Sequence, residues 1–191
     1  DLNDFLNLRK ELIKKDESIE WDIGKLRKEI FKEKLKHIRP ASLRNQIVND
    51  AFEIFIDNRH LINLYDGVED SLKILSKKYE LGVLTNGNAD IYKFEIGRYF
   101  KFSISSLEAK DNKPNRSHFD EASKKLEGIK FDEMLHIGDH QINDIIGANN
   151  LGINTLWFNN NNNEWEQDSK KPDEFSSWKR LPEIIEKYYG W

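Results

Sequence analysis

Strand-like runs alternate with helical patterns through the second half of the chain. Short apolar or strand-forming runs occur at 79–84, 102–106, 134–137 and 153–158. Between them, the pattern predicts helices at 90–100, at 117–126 and from Ile142. Runs of this length are typical of buried strands, and their alternation with helices predicts a parallel sheet that is covered on both faces. The predicted fold class is therefore α/β, with a Rossmann-like parallel sheet.

The first sixty residues have a different pattern. Apolar residues recur at helical spacing in three segments, and charged residues occupy the remaining helix faces. Pro40 separates the second segment from the third, and Ser42 is predicted to cap the third helix. We therefore expect a helical module at 1–62 that precedes an α/β module at 63–191.

Composition excludes several classes of protein. The 191 residues contain no Cys, which rules out a disulfide scaffold, a thiolate zinc site and a Cys nucleophile. The formal net charge of −4 gives no electrostatic reason to expect a nucleic acid or an anionic membrane as partner. No apolar run approaches the roughly 20 residues that a membrane span needs. We expect a soluble, cytoplasmic protein.

Two of the predicted strands are followed by residues suited to binding phosphate. In Thr85-Asn86-Gly87, the Thr85 hydroxyl can donate to a phosphate oxygen, and the backbone N–H groups of Asn86 and Gly87 can bind the same anion. Lys113, before Pro114, can add an ammonium group. Each element has a simpler alternative, which is an ordinary Asn-Gly turn for the first and a solvated surface lysine for the second.

A third element, Gly138 to Asp144, follows another predicted strand. Asp139 lies at the strand end and Asp144 lies one turn into the next helix, so both carboxylates and the Asn143 amide can meet in one crevice. Such oxygen ligands suit Mg²⁺. The simpler alternative is a helix N-terminus at which the Asp residues serve only as caps. Thr85, Lys113 and Asp139 are spaced 28 and 26 residues apart, which is the length of a βα unit. Ligands bind at the carboxyl ends of strands in open parallel sheets, so the three elements together predict one site.

The order of these elements resembles the haloacid dehalogenase superfamily. Thr85 matches its second motif, Lys113 its third, and the segment from Gly138 to Asp144 its acidic fourth motif. The resemblance implies that residues 63–191 form the family's core and that residues 1–62 form most of a helical C1-type cap. The acidic fourth motif is similar to the phosphatase type. The cap type and the segment Thr85-Asn86-Gly87-Asn88 resemble the branch that hydrolyses flavin mononucleotide, nucleoside monophosphates and small sugar phosphates.

The resemblance also implies a function. It implies a Mg²⁺-dependent phosphomonoester hydrolase that acts on a small phosphorylated metabolite through an aspartyl-phosphate intermediate. The implied catalytic residues are Thr85, Lys113 and Asp139; the implied phosphate-binding residues are Thr85, Asn86, Gly87 and Lys113; the implied Mg²⁺ ligands are Asp139 and Asp144, with Asn143 in support.

The family's first motif has no counterpart in these residues. That motif is a strand followed by Asp-x-Asp-x-Thr, and in the family fold its strand lies between the strands that carry Thr85 and Asp139. We expect a segment upstream of residue 1 to supply this strand and the nucleophilic aspartate, and the 191 residues alone to be inactive. A catalytically inactive binding or regulatory module, an enzyme completed by another chain and, more weakly, a 2-haloacid dehalogenase are the alternatives.

Overall fold

The amino-terminal part of the molecule is helical. The computed structural model of the protein describes residues 2–190. Its first part contains a short 3₁₀ turn at Glu17–Glu20 and three helices, which are α1 (Leu2–Lys15), α2 (Ile23–Lys34) and α3 (Ala41–Arg59). Buried Ile19, Leu26 and Ile30 form a small core between the first two helices. The described residues before 62 contain no strand, so the predicted helical character is confirmed.

Pro40 separates α2 from α3 as predicted, but the prediction that Ser42 caps α3 is wrong. The helix begins at Ala41, so Pro40 occupies the N-cap position and no side chain caps the first turn. Because the pyrrolidine ring fixes φ and lacks an N–H, the chain enters the helix directly after the proline. Ser42 therefore lies within the first turn instead of preceding it.

Between residues 2 and 190, five strands form two parallel sheets. In the first, β1 (Gly82–Thr85) pairs with β2 (Phe102–Ser105). In the second, β3 (Leu135–Gly138) pairs with β4 (Asn154–Phe158), which also pairs with β5 (Asp173–Phe175). Every pairing is parallel; helical segments connect β1 to β2, β2 to β3 and β3 to β4, and a loop connects β4 to β5. The structure thus confirms the α/β, Rossmann-like class.

Helices cover both faces of these sheets. The core helices are α4 (Val68–Leu75), α5 (Ser106–Ala109), α6 (Ser117–Lys125), α7 (Gly147–Asn149) and α8 (Leu181–Tyr189). On one face of β4, Leu156 packs with Leu181 and Ile185 of α8. On the other face, Thr155 donates a hydrogen bond to Asn149 of α7. Successive residues of a strand point to opposite faces, so α7 and α8 lie on opposite sides of the sheet.

Two predicted helices have other geometries. The pattern at 90–100 predicts one helix, but the chain forms two 3₁₀ turns, Ile91–Lys93 and Glu95–Tyr99. Phe94 between them is extended, and Gly97 packs closely on the backbone of Ile91, where a Cβ atom would lie 2.6 Å from the carbonyl oxygen. This close return of the chain is incompatible with a continuous α-helix.

The helix predicted to begin at Ile142 instead opens with a wide π-helical turn at Gln141–Ile146 and continues into α7. The His140 carbonyl accepts from the backbone N–H groups of both Asp144 and Ile145, which widens the turn. Such π-helical turns occur frequently at functional sites. Here the widened turn carries Asp144.

The unpaired edges of β1 and β3 flank an apolar cleft. Within residues 2–190, no strand pairs with the second edge of either strand. The cavity between them has a volume of about 360 Å³ and is lined from the two strands and their approaches by Leu81, Gly82, Leu84, Leu135, His136 and Ile137. We call this cavity the edge cleft. It separates the strands that carry Thr85 and Asp139, where the sequence predicts a further strand.

No helix among the described residues is long and apolar enough to cross a membrane.

Candidate active site

Lys113 is buried at the carboxyl end of β1. Its ammonium nitrogen donates to the Leu84 carbonyl oxygen at 2.7 Å and to Asp144 Oδ1 at 2.6 Å. Carbonyls alternate in direction along a strand, and the Leu81 oxygen accepts from Lys101 on the β2 side. The Leu84 oxygen therefore points towards the edge cleft. With 7% of its surface exposed, Lys113 is not the solvated surface lysine of the alternative interpretation.

The Asn86 side chain holds the backbone of Lys113. Its Oδ1 accepts from the Lys113 N–H at 2.8 Å, and its Nδ2 donates to the Lys113 carbonyl at 2.9 Å. The sequence predicts only a backbone contribution from Asn86, so this role of the amide was missed. A paired amide contact of this kind fixes both the position and the orientation of the lysine stem, which carries the ammonium to its two acceptors.

Asp144 is buried beside the end of β3. Its Oδ1 contacts Lys113 and lies 3.4 Å from His136 Nε2, while its Oδ2 accepts from the His140 backbone N–H at 3.0 Å. Burial by itself raises the pKa of Asp144, but the hydrogen bond to His136 and the charge of Lys113 outweigh burial and hold the pKa well below its usual range. A side chain at Gly138 would overlap Asp144, which explains a glycine at this strand end.

Asp139 presents the exposed carboxylate of the site. It directly follows β3, and its backbone carbonyl accepts from Trp157 Nε1 at 2.9 Å, which anchors the strand end. Both oxygens of Asp144 are instead engaged inside the protein. Asn143 is half-buried, and its backbone N–H donates to the His140 ring at 3.1 Å.

The donor set at this strand end consists of oxygen atoms. Across residues 2–190, no three His, Asp or Glu side chains lie close enough together to hold a metal ion by themselves. Mg²⁺, however, is usually held by one or two carboxylates together with water and substrate phosphate. The exposed carboxylate of Asp139 is therefore a suitable protein ligand for Mg²⁺. Asp144 lies behind it, bonded to Lys113.

The Thr85 loop differs from its predicted form in one respect. The Gly87 N–H donates to Thr85 Oγ1 at 2.9 Å and closes a tight turn, so in this structure it is not directed at an anion as predicted. The Thr85 hydroxyl retains its own proton for a phosphate oxygen. The backbone carbonyl oxygen of Thr85 lies 3.2 Å from His118 Nε2. Because a carbonyl can only accept, this ring nitrogen is the donor.

His118 is fully buried on α6 and was not predicted as a site residue. Burial lowers the pKa of His118, so the imidazole is held neutral. Its Nδ1 is buried without a hydrogen-bond partner among the described residues. The only sequence signal for this histidine is its position five residues after Lys113, on the apolar face of a helix.

The helical segment contacts the loops that carry the site. His60, at the end of α3, accepts from the Asp90 N–H at 3.1 Å, and Asn112, just before Lys113, donates to the Glu20 carbonyl at 2.9 Å. Arg59 lies over the Thr85 loop, with its Nη2 3.3 Å from the place where a Gly87 Cβ would be. Residues before 62 therefore border the same crevice as the strand ends.

Comparison with known proteins identifies the family of this chain. The family model described as haloacid dehalogenase-like hydrolase matches residues 4–158. The chain belongs to the haloacid dehalogenase-like hydrolase family, as the order of its motifs predicts.

Several characterised relatives are phosphatases. The chain is 33% identical over 109 residues to the 5-amino-6-(5-phospho-D-ribitylamino)uracil phosphatase YigB of Escherichia coli, a match that covers 57% of this chain and 45% of that protein. It is 25% identical over 172 residues to the pyrimidine 5'-nucleotidase PynA of Streptococcus pneumoniae, which covers 84% of this chain and 73% of that protein. The match to the glyceraldehyde 3-phosphate phosphatase of Pyrococcus abyssi is 35% identical and covers 35% of that protein and 42% of this chain. The chain thus spans less than half of two of these three relatives.

Solved structures share the fold. A 2-haloacid dehalogenase from Pseudomonas syringae pv. Tomato superposes with a TM-score of 0.90 at 28% identity, over 98% of this chain and 82% of that chain. A HAD phosphatase from Thermococcus onnurineus superposes with a TM-score of 0.61 at 20% identity, over 82% of this chain and 78% of that chain.

Proposed function

We propose that the protein is a Mg²⁺-dependent phosphomonoester hydrolase that acts on a small phosphorylated metabolite through an aspartyl-phosphate intermediate. The observation that carries the proposal is the buried Lys113 ammonium, which is held between the Leu84 carbonyl and Asp144 at the mouth of the edge cleft. An ammonium has three N–H groups, so one remains for a ligand. Family membership and the three phosphatase relatives support the same reaction class.

The residues of the two strand ends have distinct roles in this proposal. The Thr85 hydroxyl donates to an oxygen of the transferring phosphoryl group, and the free N–H of Lys113 donates to another. Asp139 holds Mg²⁺ directly, and Asp144 and Asn143 support the site from behind, Asp144 through its bond to Lys113. When bound, Mg²⁺ offsets the repulsion between substrate phosphate and attacking carboxylate.

The nucleophile is proposed to be an aspartate on a strand that fills the edge cleft, encoded upstream of residue 1. Its carboxylate forms a bond to phosphorus while the ester P–O bond breaks, and the leaving oxygen takes a proton from a second aspartate two residues further on. Water, deprotonated by that second aspartate, then attacks phosphorus while the bond between phosphorus and the nucleophile's carboxylate oxygen breaks, which releases phosphate and restores the free carboxylate. A strand in this position also forms hydrogen bonds with the free edges of β1 and β3. Buried backbone N–H and C=O groups at these edges would otherwise lack partners, which is energetically unfavourable.

Residues 1–62 are proposed to form most of a helical cap over this core at 63–191. The contacts of Glu20 and His60 with the site loops support this division of roles. The cytoplasmic location predicted from the sequence stays a prediction.

Phosphate release from p-nitrophenyl phosphate by the full-length protein, with and without Mg²⁺, tests the reaction class. We expect Mg²⁺-dependent release, and we expect Asp139→Ala to abolish it. Asp132→Ala is the matched control, because Asp132 is an exposed carboxylate that precedes β3 instead of following it. Full activity in Asp139→Ala would contradict the assignment of the site.

Two alternative functions can be distinguished from the hydrolase by experiment. An inactive binding or regulatory module would release no phosphate from any ester, and Mg²⁺ with phosphate would give no thermal stabilisation. A 2-haloacid dehalogenase, the function in the name of the structure at 28% identity, would release chloride from 2-chloropropionate. The acidic pair of Asp139 and Asp144 favours the phosphatase over the dehalogenase.

A further inference from the structure

Two arginines of the helical segment converge on one aromatic ring. The guanidinium carbon of Arg27, on α2, lies 3.8 Å from the centre of the Phe55 ring, and that of Arg59, on α3, lies 5.8 Å from the same centre. Burial lowers the pKa of Arg27, and the nearby positive charge of Arg59 lowers it further. The two cations are therefore close enough to repel each other.

No carboxylate neutralises this pair. Within residues 2–190, neither Arg27 nor Arg59 forms a salt bridge, whereas Arg98 pairs with Glu69 and Arg116 with Asp120. The Nε of Arg27 is buried without a hydrogen-bond partner in the part of the chain that the structure describes. Two features of this pair are unfavourable: the buried N–H without an acceptor and the repulsion between the two guanidinium groups. A bound anion would relieve both.

One member of the arginine pair, Arg59, borders the Thr85 loop. Arg59 Nη2 lies 3.3 Å from the place that a Cβ would take on Gly87, and Gly87 donates to the Thr85 hydroxyl. The next residue, Asn88, has both polar side-chain atoms buried without partners among the described residues. Within the described residues, the helical segment and the Thr85 loop therefore each contain buried polar atoms without a partner.

We propose that Arg27 and Arg59 form an anion subsite that binds a second anionic group, a carboxylate or a phosphate, on the phosphomonoester substrate. This inference rests on the proposed phosphatase function, in which Thr85 and Lys113 bind the transferring phosphoryl group. Planar guanidinium groups bind carboxylate and phosphate through paired hydrogen bonds. Stacking on Phe55 holds Arg27 in place before the ligand arrives, which reduces the entropic cost of binding.

Binding of non-hydrolysable phosphonates to the full-length protein tests the subsite without requiring turnover. Calorimetry compares 3-phosphonopropionate and 4-phosphonobutyrate with the alkyl phosphonates of equal length, which lack the carboxylate. We expect the wild type to bind at least one phosphonocarboxylate about tenfold more tightly than its alkyl partner, because a hydrogen-bonded charge pair contributes at least this factor. Arg59→Gln should remove the preference and leave alkyl phosphonate affinity within about twofold.

Two further variants keep the test specific. Arg59 is exposed, so Arg59→Gln should fold normally, and Arg27→Lys retains the charge but loses the paired geometry. Lys28→Gln removes a neighbouring cation that lies over Phe52 instead of Phe55, and it should keep the wild-type preference. Equal affinity of the wild type for both ligand types, no binding of either, or an equal loss of both in Arg59→Gln would overturn the subsite.

The outcome separates the two proposals. Hydrolysis of simple monoesters without any preference for phosphonocarboxylates would overturn the subsite and retain the hydrolase. A preference that Arg59→Gln removes, in a protein that hydrolyses no ester, would retain the subsite and overturn the hydrolase.

Discussion

Lys113 Nζ lies 2.6 Å from Asp144 Oδ1, and this buried ion pair joins the ends of two strands that belong to separate sheets. The lysine also bonds to the Leu84 carbonyl of β1, and Asp144 packs against Gly138 at the end of β3. The pair is therefore a fixed point between β1 and β3 at the mouth of the edge cleft. Any loss of the pair is expected to affect both the fold and the site.

Lys113→Met should lower the free energy of unfolding by about 3–5 kcal/mol, because the Asp144 carboxylate is left buried without its cation. Adding Asp144→Asn to this variant should recover part of the loss, since the uncompensated charge is removed. Urea titration of the variants measures both effects. Lys125→Met, at an exposed lysine of α6, is the control and should change stability by no more than about 0.5 kcal/mol. A similar small effect of Lys113→Met would show that the pair is unimportant for folding.

Asp139 and Asp144 should respond differently to the same substitution. Asp139 is exposed and makes no side-chain hydrogen bond within the described residues, so Asp139→Asn should leave stability within about 0.5 kcal/mol and abolish phosphate release by the full-length protein. Asp144→Asn should lower both stability and activity. Thermal unfolding and phosphate assays on the two purified variants distinguish these patterns. Equal destabilisation by both would contradict the different environments of the two carboxylates.

Gly138→Ala should impair the site through Asp144. A methyl group at this position overlaps the Asp144 side chain and must displace it from Lys113, with an expected loss of about 1–3 kcal/mol and of most activity. Gly128→Ala is a matched control for stability, since Gly128 has a φ of +85° but no atom within 4 Å of a new Cβ. It should cost about 1–2 kcal/mol through backbone strain and retain activity. Retained activity in Gly138→Ala would refute the predicted displacement.

The two asparagines of the Thr85 loop offer a paired test. Asn86→Ala removes both hydrogen bonds to the Lys113 backbone and should cost about 1–3 kcal/mol and reduce activity. Asn88→Ala removes an amide without partners and should be nearly neutral or stabilising. Chemical denaturation compares them directly. A larger loss for Asn88→Ala than for Asn86→Ala would contradict the clamp on Lys113.

Stability should fall as the pH drops from about 7 to about 5, in part because of His118. The pKa of His118 in the folded protein lies below the ordinary value of 6.5, mainly because burial disfavours the charged imidazolium. The Thr85 carbonyl and Asp111 raise this pKa, whereas the charges of Lys113 and His136 lower it, and the lowering effects are larger in total. The unfolded chain therefore binds a proton that the folded chain does not, so unfolding is favoured as the pH falls. His118→Gln keeps a donor for the Thr85 carbonyl but does not titrate, and urea midpoints at several pH values should show a shallower decline. An unchanged slope would exclude His118 as a contributor.

Much of the fold follows from local pattern. The run at 153–158 predicts β4 almost to its ends, because its β-branched, aromatic and other apolar residues suit a strand that is buried on both faces. The run at 79–84 predicts β1 less closely, since Gly82–Thr85 is set by pairing with β2, which the local sequence does not encode. The helix predicted at 90–100 was wrong because apolar spacing cannot distinguish one α-helix from two 3₁₀ turns that fold onto Ile91.

The sequence by itself determined that Thr85, Lys113 and Asp139 follow predicted strands of a parallel sheet, and this order predicts a phosphate site at the strand ends. Only the tertiary structure decided that Lys113 is buried, that Asn86 clamps it, and that both oxygens of Asp144 are engaged inside the protein. These contacts join residues that are far apart in the chain, as Lys113 and Asp144 are, and no local pattern encodes them. Burial and electrostatic environment depend on which elements pack together, so the roles of these side chains are set by packing.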